Sequence, residues 1–341
     1  MSQVVVITGA SAGVGRAVAT AYAARGARLA LIARGRAGLE GAAIEARACG
    51  AAEVRTFQVD VAEAEAVQEV ADEVARTWGG IDVWINNAMV SVFAPAWEIT
   101  AAEYRRVTEV NFLGTVYGTL AALRHMRPAG HGAVVQIGSA LAYRGIPLQA
   151  PYCATKHAIQ GFNDSLRAEL LHDGNRVKLS MVQLPAVNTP QFSWVRTRLP
   201  RHPQPVPPLY QPEVMARAVL WVADHGKREI NVGGPTLKTR LGNMVAPGLL
   251  DRYLSRDKQG YEGQQTADAI DPATWQDNVD KPADEERDHG AHGVFDDQAR
   301  TSSFALWATL HKPLVTSLVG AGLGAAATVL ALSGRSPGWR R

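Results

Sequence analysis

The chain is poor in the features that mark several classes of protein. Only two of its 341 residues are cysteine, Cys49 and Cys153, which excludes a dense disulfide framework and predicts a reducing, cytoplasmic setting. The formal net charge is only +3 at pH 7, and no concentrated basic patch occurs, so nucleic acid is not an expected partner. No Cys/His cluster has zinc-ligand spacing, so no metal is expected.

The start of the chain also lacks an export signal, because its first apolar run is only four residues long and no basic residue precedes it. That run predicts a buried strand, since a glycine turn and an alanine-rich helix follow it. In such a turn Gly9 permits the tight bend, Gly13 lets the backbone approach a pyrophosphate closely, and Gly15 allows the helix to pack close to the strand. We therefore predict a dinucleotide-binding turn that includes Ser11 and Val14.

The second predicted strand, residues 28–33, ends without an acidic residue. Enzymes that use NAD usually place Asp or Glu there to bind both ribose hydroxyls, whereas the 2′-phosphate of NADP requires a cation. Here Arg34 follows the strand directly, and Arg36 is close behind. This pattern favours NADP(H) as cofactor, with Arg34 at the 2′-phosphate; the alternative is a solvated loop arginine.

Strands and helices then alternate along the chain. Helices near 37–49 and 63–78 flank strands near 53–59 and 82–86, and strands separated by 10–15-residue helices form parallel sheets. We predict an α/β fold of the Rossmann type, a doubly wound parallel sheet of about seven strands with helices on both faces. Asp60, just past the third strand, is predicted to accept from the adenine amino group or to cap the next helix.

Five motifs occur in a characteristic order. In that order and spacing they resemble the short-chain dehydrogenase/reductase family over about residues 1–233; they are Thr8-Gly9 with Gly13 and Gly15, Asp60-Val61, Asn86-Asn87-Ala88, Ser139, and Tyr152 to Lys156. The resemblance implies an oxidoreductase and assigns Val61, Asn87 and Ala88 to the cofactor site. Because the family is usually dimeric or tetrameric, a homo-oligomer is expected.

Tyr152 and Lys156 carry the predicted acid–base chemistry. They are four residues apart on a helix predicted over residues 150–172, so they share one face. A phenol has an ordinary pKa of about 10, and a nearby ammonium group lowers it. The resemblance implies that Tyr152 exchanges a proton with the substrate oxygen and that Lys156 also binds the nicotinamide ribose.

Ser139 and Asn111 complete the predicted catalytic set. Ser139 follows a strand at 133–138, at the sheet edge where ligands bind in open α/β folds. The resemblance implies that Ser139 donates to the substrate oxygen and that Asn111 holds a water linking Lys156 to solvent. The alternatives are a helix cap for Ser139 and a satisfied buried amide for Asn111.

Two positions depart from the family pattern. Met89 stands where Gly usually follows Asn-Asn-Ala, and Ala186 stands where Gly usually follows Pro185. Ala186 lacks the backbone freedom of glycine, which puts the placement of the nicotinamide in doubt. Pro185, Val187 and Thr189 still match the segment that contacts the carboxamide in the family.

A proline-rich segment follows. Eight of the 18 prolines lie at positions 185–212, which excludes a long continuous helix there. The family resemblance places the substrate-covering insertion in this segment. Its apolar side chains are predicted either to line a pocket for a bulky hydrophobic substrate or only to pack the loop; they are Phe192, Trp194, Val195, Leu199, Leu209 and Tyr210.

Beyond the predicted catalytic domain of residues 1–235, the composition changes. Residues 236–300 are predicted to form a helix, near 238–254 and interrupted by a Pro-Gly pair, and then an acidic linker or strap. Residues 251–300 hold 13 acidic against 6 basic side chains, and Trp275 and Phe295 are the expected anchor points of this segment. Its two close histidines are more typical of solvated side chains than of metal ligands.

The last segment, residues 301–341, contains a long uncharged run. The 21 residues at 313–333 carry no charge, enough for a helix of about 30 Å. Gly320 and Gly324 form a small-xxx-small pair of the kind that packs membrane helices. We predict an apolar helix that anchors a cytoplasmic enzyme to a membrane; the alternative is a helix packed against another subunit.

These motifs predict an NADP(H)-dependent enzyme that interconverts a carbonyl and an alcohol. Its substrate is predicted to be a small molecule with a bulky hydrophobic part. The alternative from another class is a nucleotide-sensing or scaffold protein that keeps the fold without turnover. A sugar-nucleotide epimerase or dehydratase is disfavoured, because the segment after the sixth strand leaves no large substrate domain.

Overall fold

The computed structural model describes residues 2–271 and 273–312. Its main strands are β1 (Val4–Thr8), β2 (Arg28–Ala33), β3 (Glu53–Gln58), β4 (Val83–Asn86), β5 (Val92–Phe93), β6 (Ala133–Ser139), β7 (Lys178–Leu184), β8 (Ala186–Val187), β9 (Arg196–Thr197), β10 (Arg201–Pro203), β11 (Leu209–Tyr210), β12 (Glu229–Asn231), β13 (Gln265–Ala269) and β14 (Ala299–Arg300). Its helices are α1 (Gly13–Ala23), α2 (Arg36–Ala48), α3 (Ala64–Trp78), α4 (Ala101–Thr108), α5 (Gly114–Ala129), α6 (Ala150–His172), α7 (Gln191–Trp194), α8 (Pro212–His225), α9 (Gly234–Val245), α10 (Pro247–Leu254), α11 (Asp257–Gly260) and α12 (Phe304–Leu310).

Seven strands form one sheet in the order β12-β7-β6-β4-β1-β2-β3, and every neighbouring pair is parallel. This confirms the predicted Rossmann-type fold. From β1 the chain first builds outward through β2 and β3, and then returns to place β4 on the other side of β1. That reversal opens a crevice at the carboxyl ends of β1 and β4, where open α/β sheets bind their ligands.

The sheet is buried on both faces, as the residues of β1 illustrate. Val5 and Ile7 pack into one core with α1, α2 and α8, whereas Val4 and Val6 pack into a second core with α3 and α5. Successive side chains of a strand point to opposite faces, so a continuous run of β-branched residues supplies both cores. The strand run thus has the composition that a central strand of a doubly wound sheet requires.

The proline-rich segment contains only short elements, as predicted. Between Ala186 and Tyr210 the longest helix is α7, with four residues, and the strands are two or three residues long. The helix predicted near 238–254 is instead two helices, α9 and α10. The first helix ends at Val245, and Pro247 is the first residue of α10. At that position the fixed φ of proline and its missing N–H are tolerated.

The acidic segment is held against the preceding domain. β13 pairs with β10 and β14 pairs with β11, so both ends of the segment are joined to the proline-rich region. The indole nitrogen of Trp275 donates to the Val195 carbonyl at 2.9 Å, and Phe295 is buried. Residues 277–296, called the strap below, therefore lie across the domain; the division of the chain at 235 and 300 stays a prediction.

The anchor predicted at 313–333 lies outside the described residues. Within residues 2–271 and 273–312, every helix is too short or too polar to cross a membrane.

The turn between β1 and α1 provides a test of the packing. A Cβ added at Gly15 would lie 2.1 Å from the Gly9 carbonyl oxygen and 2.6 Å from Nδ2 of Asn87, neither of which has room to move. We expect Gly15→Ala to lower the free energy of unfolding by about 2–3 kcal/mol.

The matched control is Gly161→Ala in α6, where a Cβ meets nothing within 4 Å and alanine favours the helix by about 1 kcal/mol. Urea unfolding followed by circular dichroism measures both variants. Equal stability of the two would contradict the proposed packing of α1 on the turn.

Candidate active site

A cavity of about 550 Å³ lies at the carboxyl ends of the central strands. It runs from the turn after β1 to the start of α6, and so joins the predicted cofactor site to the predicted catalytic residues. The predicted residues that line it are Gly9, Ser11, Gly13, Val14, Arg34, Asp60, Val61, Asn87, Ala88, Ser139, Tyr152, Lys156, Pro185, Val187 and Thr189. Two predicted residues, Gly15 and Asn111, are not part of the lining.

The glycine turn at one end of the cavity is held by a polar network. Gly9 and Gly13 have φ values of +63° and +56°, a conformation that favours glycine. Nδ2 of Asn87 donates to the carbonyls of Thr8 and Gly9, each at 3.0 Å, while the Thr8 hydroxyl accepts from the backbone of Asn87 and Ala88. Asn87 therefore fixes the turn that it lies beside.

Ser139 and Tyr152 meet at the other end of the cavity. The Ser139 hydroxyl accepts a hydrogen bond from the backbone of Leu141 at 3.1 Å, so it caps a short turn while it also faces the cavity. Burial raises the pKa of Tyr152 to about 12, and the hydrogen bond with Ser139 opposes that rise. The phenol is therefore protonated at neutral pH.

Lys156 lies beside Tyr152 on α6, and its predicted lowering of the Tyr152 pKa stays a prediction. Its Nζ lies 5.5 Å from the centre of the Tyr152 ring and donates to the Ile137 carbonyl at 2.7 Å. Burial lowers the pKa of Lys156 itself to about 8, and burial also dominates the pKa of Tyr152. Desolvation therefore favours the neutral form of both groups.

Asn111 is a buried amide in the π-helical turn at residues 109–113 that joins α4 to α5. Its Oδ1 accepts from the Val90 backbone at 2.8 Å, and its Nδ2 donates to the Val90 carbonyl at 2.9 Å and to the Thr155 hydroxyl at 3.3 Å. These bonds tie the segment after β4 to α6, next to Lys156. The water-relay role of Asn111 stays a prediction.

Arg34 and Asp60 line the cavity just beyond the ends of β2 and β3, and both have partners within the protein. Arg34 donates to the carbonyls of Asn278 and Val279, the latter at 3.1 Å. Asp60 forms an ion pair with Arg106, and its other oxygen accepts from the backbone of residue 62. The alternative that Asp60 caps the next helix is wrong, because α3 begins at residue 64 and its N-cap is residue 63.

The two departures from the family pattern have little structural cost. Met89 lines the cavity, and Ala186 begins β8, which pairs with Leu209 of β11. Among the described residues, the positive φ values outside glycine are confined to Leu148. Ala186 therefore does not need the backbone freedom of glycine, and the placement of the nicotinamide stays a prediction.

The apolar residues of the proline-rich segment divide between the two predicted roles. Phe192 and Trp194 line the cavity. Val195 and Leu199 pack in a small core with Phe93 and Leu148, and the two apolar residues of β11 are buried away from the cavity. Thus two of the six residues line the cavity and four hold the loop.

The strap supplies part of the cavity wall that the sequence motifs did not reveal. Residues Asn278, Pro282, Ala283 and Asp284 line the cavity. The strap is held by an ion pair in which Nη1 and Nη2 of buried Arg16 both donate to the Asp288 carboxylate, and by the Gly290 carbonyl, which accepts from the backbone of Gly13 at 3.2 Å. The only sequence signal for this wall was the acidic composition of the segment.

Comparison with known proteins gives a consistent result. The model of the short chain dehydrogenase family matches residues 3–199. The chain is 31% identical over 325 residues to the uncharacterized oxidoreductase YxnA of Bacillus subtilis, covering 94% of this chain and 88% of that protein. It is 32% identical over 244 residues to D-threitol dehydrogenase of Mycolicibacterium smegmatis, covering 69% of this chain and 94% of that protein. A short-chain dehydrogenase structure from Streptomyces avermitilis matches with a TM-score of 0.62 and 25% identity, over 74% of this chain and 96% of that one.

The attachment of the strap can be tested at its ion pair. Asp288→Asn removes the charge that Arg16 faces, so we expect the strap to open more often, with amide hydrogen exchange of Gly13 and the strap roughly tenfold faster. The control is Asp268→Asn in the same acidic segment, since the Asp268 side chain is exposed and its carboxylate has no recorded hydrogen bond within the described residues. Unchanged exchange in the Asp288 variant would show that the pair does not hold the strap.

Proposed function

The chain belongs to the short-chain dehydrogenase/reductase family, and from this premise we propose that it interconverts a carbonyl and an alcohol with a nicotinamide adenine dinucleotide. The observation that carries the proposal is the single cavity, with the glycine turn at one end and the Tyr152 phenol at the other. The residues present fit the cofactor, because Gly9, Ser11 and Val14 of the turn line the cavity at the start of α1. When bound, the dinucleotide supplies a hydride in reduction and accepts one in oxidation.

In this proposal Tyr152 gives its proton to the carbonyl oxygen during reduction and removes the hydroxyl proton during oxidation. The raised pKa of Tyr152 supports the donor role, because the phenol carries its proton at neutral pH. The Ser139 hydroxyl, which is hydrogen-bonded with Tyr152, would donate to the same substrate oxygen as negative charge develops on it. Asn111 would hold the relay water beside Lys156.

Lys156 is proposed to bind the nicotinamide ribose. Its ammonium group uses one donor on the Ile137 carbonyl, which leaves two donors for ribose hydroxyls. Its buried position beside the Tyr152 ring also places a positive charge near the oxygen where charge develops. Removing that charge is therefore expected to slow hydride transfer.

The finer prediction, that the cofactor is NADP(H), depends on Arg34. The position of Arg34 on the cavity wall supports it. Its hydrogen bonds to strap carbonyls count against it, because they occupy donors that a 2′-phosphate would need. The choice of cofactor is therefore taken up separately below.

The substrate is proposed to be a bulky hydrophobic carbonyl or alcohol. The apolar residues of the cavity lining support this, among them Leu141, Ile146 and Phe192.

A homo-oligomer in a cytoplasmic setting belongs to the same proposal. An exposed apolar face on α9 and α10 supports association with another subunit. Its residues Met244, Val245 and Leu249 are 72%, 84% and 65% exposed. The membrane anchor at 313–333 stays a prediction.

The acid–base role is tested with Tyr152→Phe. We expect turnover to fall at least a thousandfold, because phenylalanine has no proton to exchange with the substrate oxygen, while dinucleotide binding stays within about threefold. Oxidation of NADH or NADPH is followed by absorbance with a panel of aromatic and long-chain aldehydes and ketones.

The matched control is Tyr104→Phe, which removes a phenol at the surface of α4 and should keep full activity. Undiminished turnover in Tyr152→Phe would refute the mechanism. Tight dinucleotide binding by the unmodified protein without oxidation of NADH or NADPH on any carbonyl would favour the nucleotide-sensing alternative.

The role of Lys156 predicts a pH dependence. Because burial lowers the pKa of Lys156 to about 8, its charge is present below that pH and is lost above it. We expect kcat for carbonyl reduction to be constant near pH 6–7 and to fall with a midpoint near 8. In Lys156→Arg, which stays charged, the rate should be lower but the decline near pH 8 should disappear. A decline that persists unchanged in that variant would assign it to another group.

A further inference from the structure

The strap covers the adenosine end of the cavity and makes backbone contacts along its course there. Val279 is fully buried, and the Asp284 carbonyl accepts from the backbone of Gly38 at 3.0 Å, in the first turn of α2. The Glu285 carboxylate accepts from the backbone of Arg36 at 3.1 Å. The start of α2, which follows directly on the end of β2, is therefore covered by acidic residues from the other end of the chain.

Asp284 is the strap residue that reaches farthest into this site. It is only 7% exposed, yet it lines the cavity, and its carboxylate packs against two glycines. A Cβ at Gly35 would lie 1.8 Å from Oδ1 of Asp284, and one at Gly38 would lie 2.2 Å from Oδ2. Any larger residue at either position would displace the carboxylate, so the two glycines form the space that it occupies.

The Asp284 carboxylate has unused hydrogen-bonding capacity. Within the described part of the chain, its oxygens accept no hydrogen bond, and the positive charge that acts on them is the Arg34 guanidinium. A ligand in the cavity that carries two neighbouring hydroxyl groups would supply the missing donors. The adenosine ribose of an unphosphorylated dinucleotide is such a ligand, and an acid at the end of β2 normally binds it.

The charge at this end of the cavity also disfavours an additional phosphate. The Arg34 guanidinium donates to three strap carbonyls and interacts electrostatically with three acids and one arginine, while Arg36 pairs with Glu285 at 3.9 Å. The acids therefore outnumber the arginines by one; they are Asp60, Asp280, Asp284 and Glu285 against Arg34, Arg36 and Arg106. A 2′-phosphate would add about two negative charges beside the Asp284 carboxylate.

We propose that Asp284, carried by the strap, is the residue that selects the cofactor: its carboxylate accepts from the ribose hydroxyls of NAD(H) and repels the 2′-phosphate of NADP(H). The inference rests on the proposed function, since it names the cofactor of the same site. It replaces the NADP(H) preference predicted from Arg34. Arg34 then holds the strap in place through the carbonyls of Asn278 and Val279, and the acid that the end of β2 lacks is supplied from 250 residues farther along the chain.

The test is a binding measurement on the full chain, which does not depend on turnover. NADH and NADPH are titrated by the enhancement of their fluorescence, and 5′-AMP and 2′,5′-ADP are titrated by calorimetry to isolate the adenosine end. We expect the unmodified protein to bind NADH at least tenfold more tightly than NADPH. Asp284→Ala should weaken NADH about tenfold and bind NADPH more tightly than the unmodified protein does, and the two nucleotide fragments should follow the same pattern.

Two further variants separate the role of Asp284 from general effects. Glu286→Gln removes an exposed charge from the same strap and should leave both affinities unchanged. Asp288→Asn frees the strap without altering Asp284, and should therefore also reduce the discrimination between NADH and NADPH. Circular dichroism of each variant verifies that the fold is kept.

Three outcomes would overturn the inference. Tighter binding of NADPH than of NADH by the unmodified protein would restore Arg34 as a 2′-phosphate ligand, especially if Arg34→Ala weakens NADPH alone. If Asp284→Ala changed the affinities for NADH and NADPH equally, the carboxylate would not distinguish the two forms of the adenosine ribose. Failure to bind either dinucleotide would reject the proposed function together with the inference, and is thereby distinguishable from the first two outcomes.

Discussion

The site depends on the close approach of the turn after β1 to the end of β4. Gly15 brings the start of α1 against the Gly9 carbonyl, and the Asn87 side chain donates to the carbonyls of Thr8 and Gly9 across the gap. These bonds satisfy backbone groups that burial would otherwise leave unpaired. The crevice at the reversal of strand order therefore has a rigid wall, and the cavity, the strap and the start of α6 are all positioned against it.

Burial sets the acid–base properties of the site. Tyr152 and Lys156 are both removed from water, which raises the pKa of the phenol and lowers that of the ammonium group. Each shift favours the neutral form of its group. Desolvation depends on the assembled fold, so these two shifts could not be inferred from the four-residue spacing of Tyr152 and Lys156.

The acidic segment acquires a role that its composition alone did not indicate. A stretch with few aliphatic residues is usually a solvated linker, because it cannot bury enough apolar surface to order itself. Here the segment is held instead by specific contacts with the domain. Asp288 forms an ion pair with Arg16, the Gly290 carbonyl accepts a hydrogen bond from the Gly13 backbone, and the Val279 side chain is buried. The +3 net charge of the chain thus combines a basic domain and an acidic strap that lie against each other.

The sequence by itself determined the sheet, the glycine turn and the helix that carries Tyr152 and Lys156. Those features depend on local periodicity and on residues close together in the chain, and α6 even has its predicted bounds. It could not determine that Asn111 is held by Val90, that four of six apolar loop residues face away from the cavity, or that Asp284 lies beside Gly35. Those contacts join segments from 20 to 250 residues apart, and no local propensity encodes them. Only the tertiary structure decided them, because burial and charge pairing are properties of the assembled fold.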